Sequence, residues 1–296
     1  MIREYNQTDV DEIIELLSLH NELSRKEQDE KRQQLKNGKD TLLVYEDHEK
    51  IQGISSINVW NNADKGSPWP SSATIIIVTR ENSDFYTMAD MLWEKSYNKV
   101  KDKDIAFIQT YYNEKQQGWR AFYDKKDFEQ WFGIKGMIYK GNRFSPTKLT
   151  YRNYEDKDFN MYYTYLGQCF SPMRQANDIH PFNIYEGSSL ERIERLKRET
   201  LEKRDSIYLF YEGKEFIGSS IVEEEIDDIF VIPEKQGKGY GRKIVEATIN
   251  LALDRDFSKI TLGAVAWNKV AIKLYESIGF EIYQSFEHRR LVVKKD

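Results

Sequence analysis

Apolar positions along the chain follow two periods, one helical and one extended, and the same series of periods is written twice. Val10, Ile13, Ile14 and Leu17 fall at i, i+3, i+4 and i+7, one apolar helical stripe after a short strand. Strands are predicted at 41–46 and 51–60, joined by the polar Asp47-His48-Glu49-Lys50, followed by an Ile-rich strand at 72–79 and a helix at 85–100. The second series has strands at 206–211, 215–222 and 225–232. A helix from about 241 to 253 then buries Ile244, Val245, Thr248 and Ala252. A strand at 259–265, a helix at 269–278 and a last strand at 289–293 complete it. Strands alternating with helices on a mixed sheet predict an α/β (α+β) fold, used twice.

Matching residues support the doubling. Arg3-Glu4-Tyr5 leading to Asp9 corresponds to Arg152-Asn153-Tyr154 leading to Asp158. Val44-Tyr45-Glu46 with Gly53 and Ser55-Ser56-Ile57 corresponds to Phe210-Tyr211-Glu212 with Gly218 and Ser219-Ser220-Ile221. Phe122-Tyr123-Asp124 with Phe128 mirrors Leu274-Tyr275-Glu276 with Phe280. The predicted division is a first domain over 1–140, a linker over 141–148 holding Gly141, Asn142, Ser145 and Pro146, and a second domain over 149–296.

Composition narrows the classes. The 296 residues are 40% hydrophobic and 14% aromatic, enough to pack cores. Lys and Arg number 44 against 49 Asp and Glu, a net charge of −5, which argues against a dedicated nucleic-acid binder. The longest aliphatic run, Ile75 to Val78, is far short of the ~20 residues of a membrane helix, and the N-terminus has no apolar stretch of secretory type. The single cysteine, Cys169, and four scattered histidines (His20, His48, His180, His288) show no metal-ligand spacing. The expectation is a cytoplasmic protein with no metal and no membrane or nucleic-acid partner; a homodimer is left open.

The most informative stretch is 226–242. A strand ends at Pro233 and a turn of Gln236, Gly237, Lys238, Gly239, Tyr240 and Gly241 leads into a helix. Such a turn presents a run of backbone N–H groups at the positive end of a helix dipole, a cradle for a pyrophosphate, and Lys238 and Arg242 add cationic charge. A plain turn is the bland alternative, since no Gly-Lys-Ser/Thr closes the loop. In the strand before it, Ile226, Ile229 and Val231 are spaced by three and then two. One extra residue near Asp227 or Asp228 restores alternation, as a β-bulge does, and leaves backbone groups unpaired for a ligand.

These residues resemble the GNAT N-acetyltransferase superfamily. Gln236, Gly239 and Gly241 match its Gln/Arg-x-x-Gly-x-Gly/Ala signature after a bulged strand. Asn268, Ala271, Leu274, Tyr275, Gly279 and Phe280 match its second signature. The resemblance covers about 150 to the C-terminus, and the whole chain resembles a tandem GNAT protein whose two domains are mixed, mostly antiparallel twisted sheets flanked by helices. It implies acetyl-coenzyme A as cosubstrate. Amides from Gln236 to Gly241 would hold the pyrophosphate, and backbone groups of Ile229, Phe230 and Val231 would pair with pantetheine. Asn268 would touch the cofactor's arm, and Tyr275 would protonate the departing thiolate. Acyl transfer also needs a stabilised oxyanion, here an N–H of Phe230 or Val231, and a base for the amine.

For the base, Glu223, Glu224, Glu225, Asp227 and Asp228 crowd the bulged strand. Glu225 is the choice, because some relatives carry a glutamate eleven residues before the glutamine. A solvated strand end, or a cluster attracting a cationic amine, reads equally well. The first half has no glycine in Arg80-Glu81-Asn82-Ser83-Asp84-Phe85, keeps Tyr123, and carries Asp127 where the second half has Gly279. It reads as a degenerate copy that buttresses the active one or shapes its acceptor pocket. The stretch 171–182, with Met173, Arg174, Asp178, His180 and Phe182, is read as a connection overhanging the acceptor, and Cys169 as a packing residue. The predicted function is acetyl transfer to a primary amine of a small molecule or peptide by direct attack in a ternary complex. The alternatives are a non-catalytic acetyl-coenzyme A sensor or scaffold, and an acyltransferase using another acyl donor.

Overall fold

In a computed structural model, residues 1–20, 25–38, 41–62, 67–69, 71–80, 84–257 and 259–293 are described. The first half runs β1 (Ile2–Glu4), α1 (Val10–His20), α2 (Arg25–Lys36), β2 (Thr41–Asp47), β3 (Lys50–Asn61), β4 (Ser71–Thr79), α3 (Phe85–Asn98), β5 (Phe107–Asn113), α4 (Trp119–Asp124) and β6 (Glu129–Tyr139). After 140–149, which holds neither helix nor strand, the order repeats: β7 (Thr150–Asn153), α5 (Phe159–Ala176), α6 (Leu190–Glu202), β8 (Ile207–Glu212), β9 (Glu215–Ile221), β10 (Glu225–Val231), α7 (Tyr240–Asp254), β11 (Thr261–Val265), α8 (Lys269–Ile278) and β12 (Phe280–Val292).

The residues that betrayed the repeat do equivalent work in both halves. Arg3 grips Asp9 through Nη1–Oδ2 at 2.7 Å and Nη2–Oδ1 at 2.9 Å, and Arg152 grips Asp158 at 2.7 Å through both pairs, tying first strand to first helix. Gly53 and Gly218 sit where a Cβ would strike the packed helix: Leu92 Cδ1 at 3.0 Å in one half, Ile244 Cδ1 at 3.0 Å in the other. Two residues on, a buried hydroxyl pair joins that strand to the same helix, Ser55 with Ser96 and Ser220 with Thr248, each at 2.7 Å.

Among the described residues the twelve strands share one sheet, in the order β1-β2-β3-β4-β5-β12-β6-β11-β10-β9-β8-β7. Each half gives its last strand to the other: β12 pairs with β5, β6 pairs with β11, and β6 and β12 pair with each other. Among the described residues four apolar cores follow, two on each face of the sheet. Helices α1 and α5 cover one face, α3 and α7–α8 the other. Strand β2 serves both faces, Leu42 and Val44 toward α1 and Leu43 toward α3, so it reads as a continuous apolar run.

The exchanged strand is longer than the pattern predicts, beginning at Phe280 rather than 289. Its alternation is hidden because its inward residues near the junction are charged. Glu287 and Arg289 are 1% and 4% exposed. Arg289 Nε donates to Glu287 Oε1 at 2.7 Å, as does the Tyr112 hydroxyl at 2.7 Å, and Arg120 Nη2 lies 2.6 Å from Oε2. Burial pushes the Glu287 carboxyl up, but the hydrogen bonds from Arg289, Tyr112 and Arg120 hold it below the usual carboxylate range. Removing Glu287 leaves the buried Arg289 only Asp124, at 2.5 Å and half-exposed, and the Phe128 carbonyl, at 3.1 Å, as partners, and leaves its Nε unpaired. Glu287→Ala is therefore expected to cost about 3 kcal/mol of stability, read by urea unfolding at pH 7. A change below about 0.5 kcal/mol would mean that solvent reaches the pair. Strands β5 and β6 also go unseen in the sequence, since β6 carries Gly133, Lys135 and Gly136 within its apolar residues.

Candidate active site

The site grows from a break in sheet pairing. Strand β10 lies parallel to β11 only at Glu225↔Thr261 and Ile226↔Leu262, while β11 continues along β6 to Val265. On its other edge β10 pairs Asp227 with Ile221 and Phe230 with Ser219, three residues against two. The extra residue is the expected bulge, with Asp228 in the left-handed region at φ 45°. Beyond the bulge, the Ile232 N–H donates to Ile217 of β9 at 2.9 Å, so by strand alternation the backbone of Val231 faces the open wedge toward β11. Ile229 shares that edge. Phe230, expected to do so as well, instead turns its carbonyl toward β9, against Gly218.

At the mouth of the wedge Pro233–Lys235 make one short turn, and α7 begins after Gly239. Gly237 and Gly239 adopt φ 72° and 80°, and no protein atom lies within 4 Å of where a Cβ would stand on either. Neighbouring protein groups therefore do not require these glycines. The backbone conformation does, and it leaves open space above the loop. Gly239 caps α7 without a side-chain acceptor, so the first-turn N–H groups at Tyr240, Gly241 and Arg242 point outward from a positive helix end. Gln236 bonds back to the Val231 carbonyl at 2.9 Å, and Lys238 to the Glu234 carbonyl at 2.8 Å. Tyr240 bonds Glu212. The Arg242 guanidinium is turned away to Ser277 Oγ of α8 at 2.5 Å and to Glu246 at 3.3 Å, so at the loop it offers its N–H rather than its charge.

Helix α8 closes the other side. Asn268 caps it, accepting from the Ala271 N–H at 3.1 Å, and Gly279 ends it at φ 113°. Tyr275 is 9% exposed, packs edge-on against Phe280, and its hydroxyl makes no hydrogen bond among the described residues. Burial, with the charge of Asp227 adding to it, pushes that hydroxyl up to about 12, so it stays protonated.

The carboxylates divide. Glu225 stands where β10 and β11 still pair, open to solvent on one side and with its carboxyl lying over Gly263 on the other. Burial, then the charge of Asp227, raises its pKa. Asp228 lies under α5, 3.3 Å from the donating hydroxyl of Tyr162, and burial, then Asp227, pushes it up to about 7. Tyr162 was missed by the sequence reading; a tyrosine in an apolar helix stripe gives no sign of what it will face. Tyr283 of β12 was missed likewise. Its pKa is raised by burial, then by the charge of Glu225, then by that of Glu27 of α2.

Other expectations change. Residues 171–176 are the end of α5 rather than a connection, with Pro172 inside the helix. The polar groups that follow pin this end down: Arg174 Nε donates to the Pro181 carbonyl at 2.6 Å, and Asp178 bonds Arg290 of β12 at 2.6 Å. Cys169 donates to the Val231 carbonyl at 3.3 Å, and burial pushes its thiol up to about 12, which fits a packing residue. In the first half, β4 pairs with β3 without any register break, so it has no bulge. Tyr123 is buried and accepts from Thr110, and Asp127 takes the left-handed turn at φ 59° that Gly279 makes in the second half. Glu81, Asn82 and Ser83 lie outside the described residues. Among the described residues no acidic, histidine or cysteine cluster could hold a metal, and no helix is long and apolar enough to cross a membrane.

Comparison with known proteins agrees with this geometry. Residues 173–280 match the acetyltransferase (GNAT) family. The chain is 31% identical over 124 residues to the uncharacterized N-acetyltransferase YhfO of Bacillus subtilis, covering 36% of this chain and 83% of that protein. It is 41% identical over 54 residues to a thialysine N-epsilon-acetyltransferase of Sus scrofa, which is 18% of this chain and only about a third (32%) of that relative. Over 100% of its length it superposes on 99% of a tandem GNAT protein from the clavulanic acid biosynthesis pathway, with TM-score 0.64 and 11% identity, a likeness of fold. A bulged strand parting from its parallel neighbour beside a glycine-capped helix, in a chain with these relatives, leads to one conclusion: the protein belongs to the GNAT acetyltransferase family.

Proposed function

We propose that the second half is an acetyl-coenzyme A-dependent N-acetyltransferase acting on a primary amine of a small molecule or peptide. The observation that carries this is the wedge: β10 leaves β11 two residues after they pair, beside a helix whose first N–H groups are uncapped. Amides from Gln236 to Arg242 would take the pyrophosphate, and the open edge at Ile229 would hydrogen-bond the pantetheine amides, the Val231 carbonyl being held by Gln236 and Cys169. Asn268 contributes by fixing the start of α8 and so the place of Tyr275. Bound there, the cosubstrate supplies an activated acetyl group. The protein's part is to orient it, to donate from the Val231 N–H to the carbonyl oxygen, and to move protons.

The base is better served by Asp228 than by Glu225. A carboxyl near 7 is divided between acid and base at neutral pH, the optimum for accepting a proton from an ammonium. Glu225 and Asp227, exposed, attract the cationic acceptor, and Glu27 of the first half adds to that field. Tyr275 gives its proton to the thiolate. Incubating the protein with acetyl-coenzyme A and a panel of amines should release free thiol together with an acetylated acceptor seen by mass. An absence of saturable acetyl-coenzyme A binding would end this reading. For Tyr275→Phe, kcat is expected to fall about 10²-fold with cosubstrate affinity unchanged. A parallel loss of affinity would instead make Tyr275 a packing residue.

A further inference from the structure

The first half has a wedge of its own, and it is hollow. Strand β4 lies parallel to β5 only from Ser72↔Phe107 to Thr74↔Gln109, and then the two diverge. Where they part, under α1 and α2, is a cavity of about 390 Å³, within the range of about 300–1,000 Å³ typical of small-molecule sites. Its walls are Ile54, Ile76, Ile77, Val78, Tyr111 and Phe286, the last lent by the exchanged β12. The corresponding space in the second half, under α5, is filled by Tyr154, Tyr162 and Phe230. Protein interiors leave few voids larger than a water, so a hollow of this size on one side of the repeat is a feature of that half.

The charge of the lining is one-sided. Among the described residues around the cavity there is no aspartate or glutamate, although the chain as a whole is acidic. Lys31, on the exposed side of α2, is the charged group among the described residues at its rim. It donates to Gln34 Oε1 at 3.1 Å and makes no ion pair among the described residues. Uncharged polar groups, Asn58 and Ser56 among them, face the same space. An apolar chamber with a solvated cation at its mouth and, among the described residues, no carboxylate lining it favours a ligand with an apolar body and an anionic head. It disfavours the cationic amines that the acidic cleft of the other half attracts.

We propose that the first half binds a small carboxylic acid with an aliphatic or aromatic body, seated between β4 and β5 with its carboxylate toward Lys31. This site is separate from the wedge of the second half and does not depend on the function proposed for it. Calorimetric titration of the full chain with hexanoate, hexylamine and hexanol, alike in body and different in head, tests it without any acetyl donor. Hexanoate is expected to bind saturably and at least tenfold tighter than hexylamine. Lys31→Glu, a change on an exposed position, is expected to weaken hexanoate at least tenfold and bring hexylamine level or better. Ile76→Trp, with folding checked by circular dichroism and melting, is expected to abolish binding by filling the chamber. No saturable hexanoate binding, equal affinity for all three heads, or a Lys31→Glu protein that binds hexanoate like the parent would each overturn the proposal.

Discussion

Replacing Gly239 with glutamate is expected to weaken acetyl-coenzyme A binding by roughly 10²–10³-fold, the equivalent of about one or two charge-assisted hydrogen bonds lost and a like charge introduced. The residue stands at φ 80° at the start of α7, and no protein atom lies within 4 Å of the position its Cβ would take. The new side chain therefore meets nothing in the protein itself. It brings a carboxylate to the end of the helix where the diphosphate is proposed to sit, and it strains a turn that glycine makes freely. Gly187, at φ 79° with equally open surroundings, lies between α5 and α6 and makes a matched control. Gly187→Glu carries the same charge and the same backbone penalty and is expected to leave affinity within about twofold. Equilibrium titration of both variants decides the matter. Equal effects would mean that the added charge and backbone strain act wherever they are placed, and no effect at Gly239 would remove the diphosphate from this loop.

Asp228→Asn should lower kcat by about 10²–10⁴-fold while making the protein more stable at alkaline pH. Both follow from one property. The Asp228 carboxyl is pushed up to about 7 by burial and then by Asp227, against a value near 4 in the unfolded chain. Between those values the folded protein holds a proton that the unfolded chain has released. Stability is therefore lost as pH rises from about 4 to about 7, and below about 4 the group costs nothing. Asparagine keeps the shape and removes the charge. The variant is expected to melt about 2–6 °C higher than the parent at pH 8 and at the same temperature near pH 4. In the parent, kcat should fall on the acid side of about 7. Asp227→Asn should move that limb to lower pH, because the charge that helps raise Asp228 is gone. Glu225→Gln should raise KM more than it lowers kcat. Were Glu225→Gln to abolish turnover while Asp228→Asn kept it, the base would be Glu225.

The parts of the site nearest one another in sequence were legible before any coordinates. Broken spacing at Ile226, Ile229 and Val231 implied a bulge, and the bulge lies between Asp227 and Phe230. Glycines alternating after Pro233 implied a turn into a helix, and α7 starts there. Both are local statements about φ, hydrogen-bond direction and side-chain period. The choice among five carboxylates was not legible. The pKa of Asp228 depends on what covers it, and its cover is Tyr162, sixty-six residues away on a helix. The reach of Arg242 toward Ser277 and of Arg174 toward Pro181 escaped for the same reason: a charged side chain shows its type in sequence but not its partner.

By itself the sequence determined that the chain repeats one series of strands and helices, that Arg3–Asp9 and Arg152–Asp158 play one part in two copies, and that only the second copy has a glycine turn suited to phosphate. Each of these is carried by periodicity or by short-range spacing, which the chain fixes wherever it folds. Only the tertiary structure decided that the copies trade their last strands into one twelve-stranded sheet. It alone left the space beneath α1 and α2 hollow and packed the space beneath α5, and it raised the pKa of Asp228 to about 7 there. Strand exchange, cavity and pKa all arise from what distant segments exclude from water or bring into contact, and no local pattern along the chain records that.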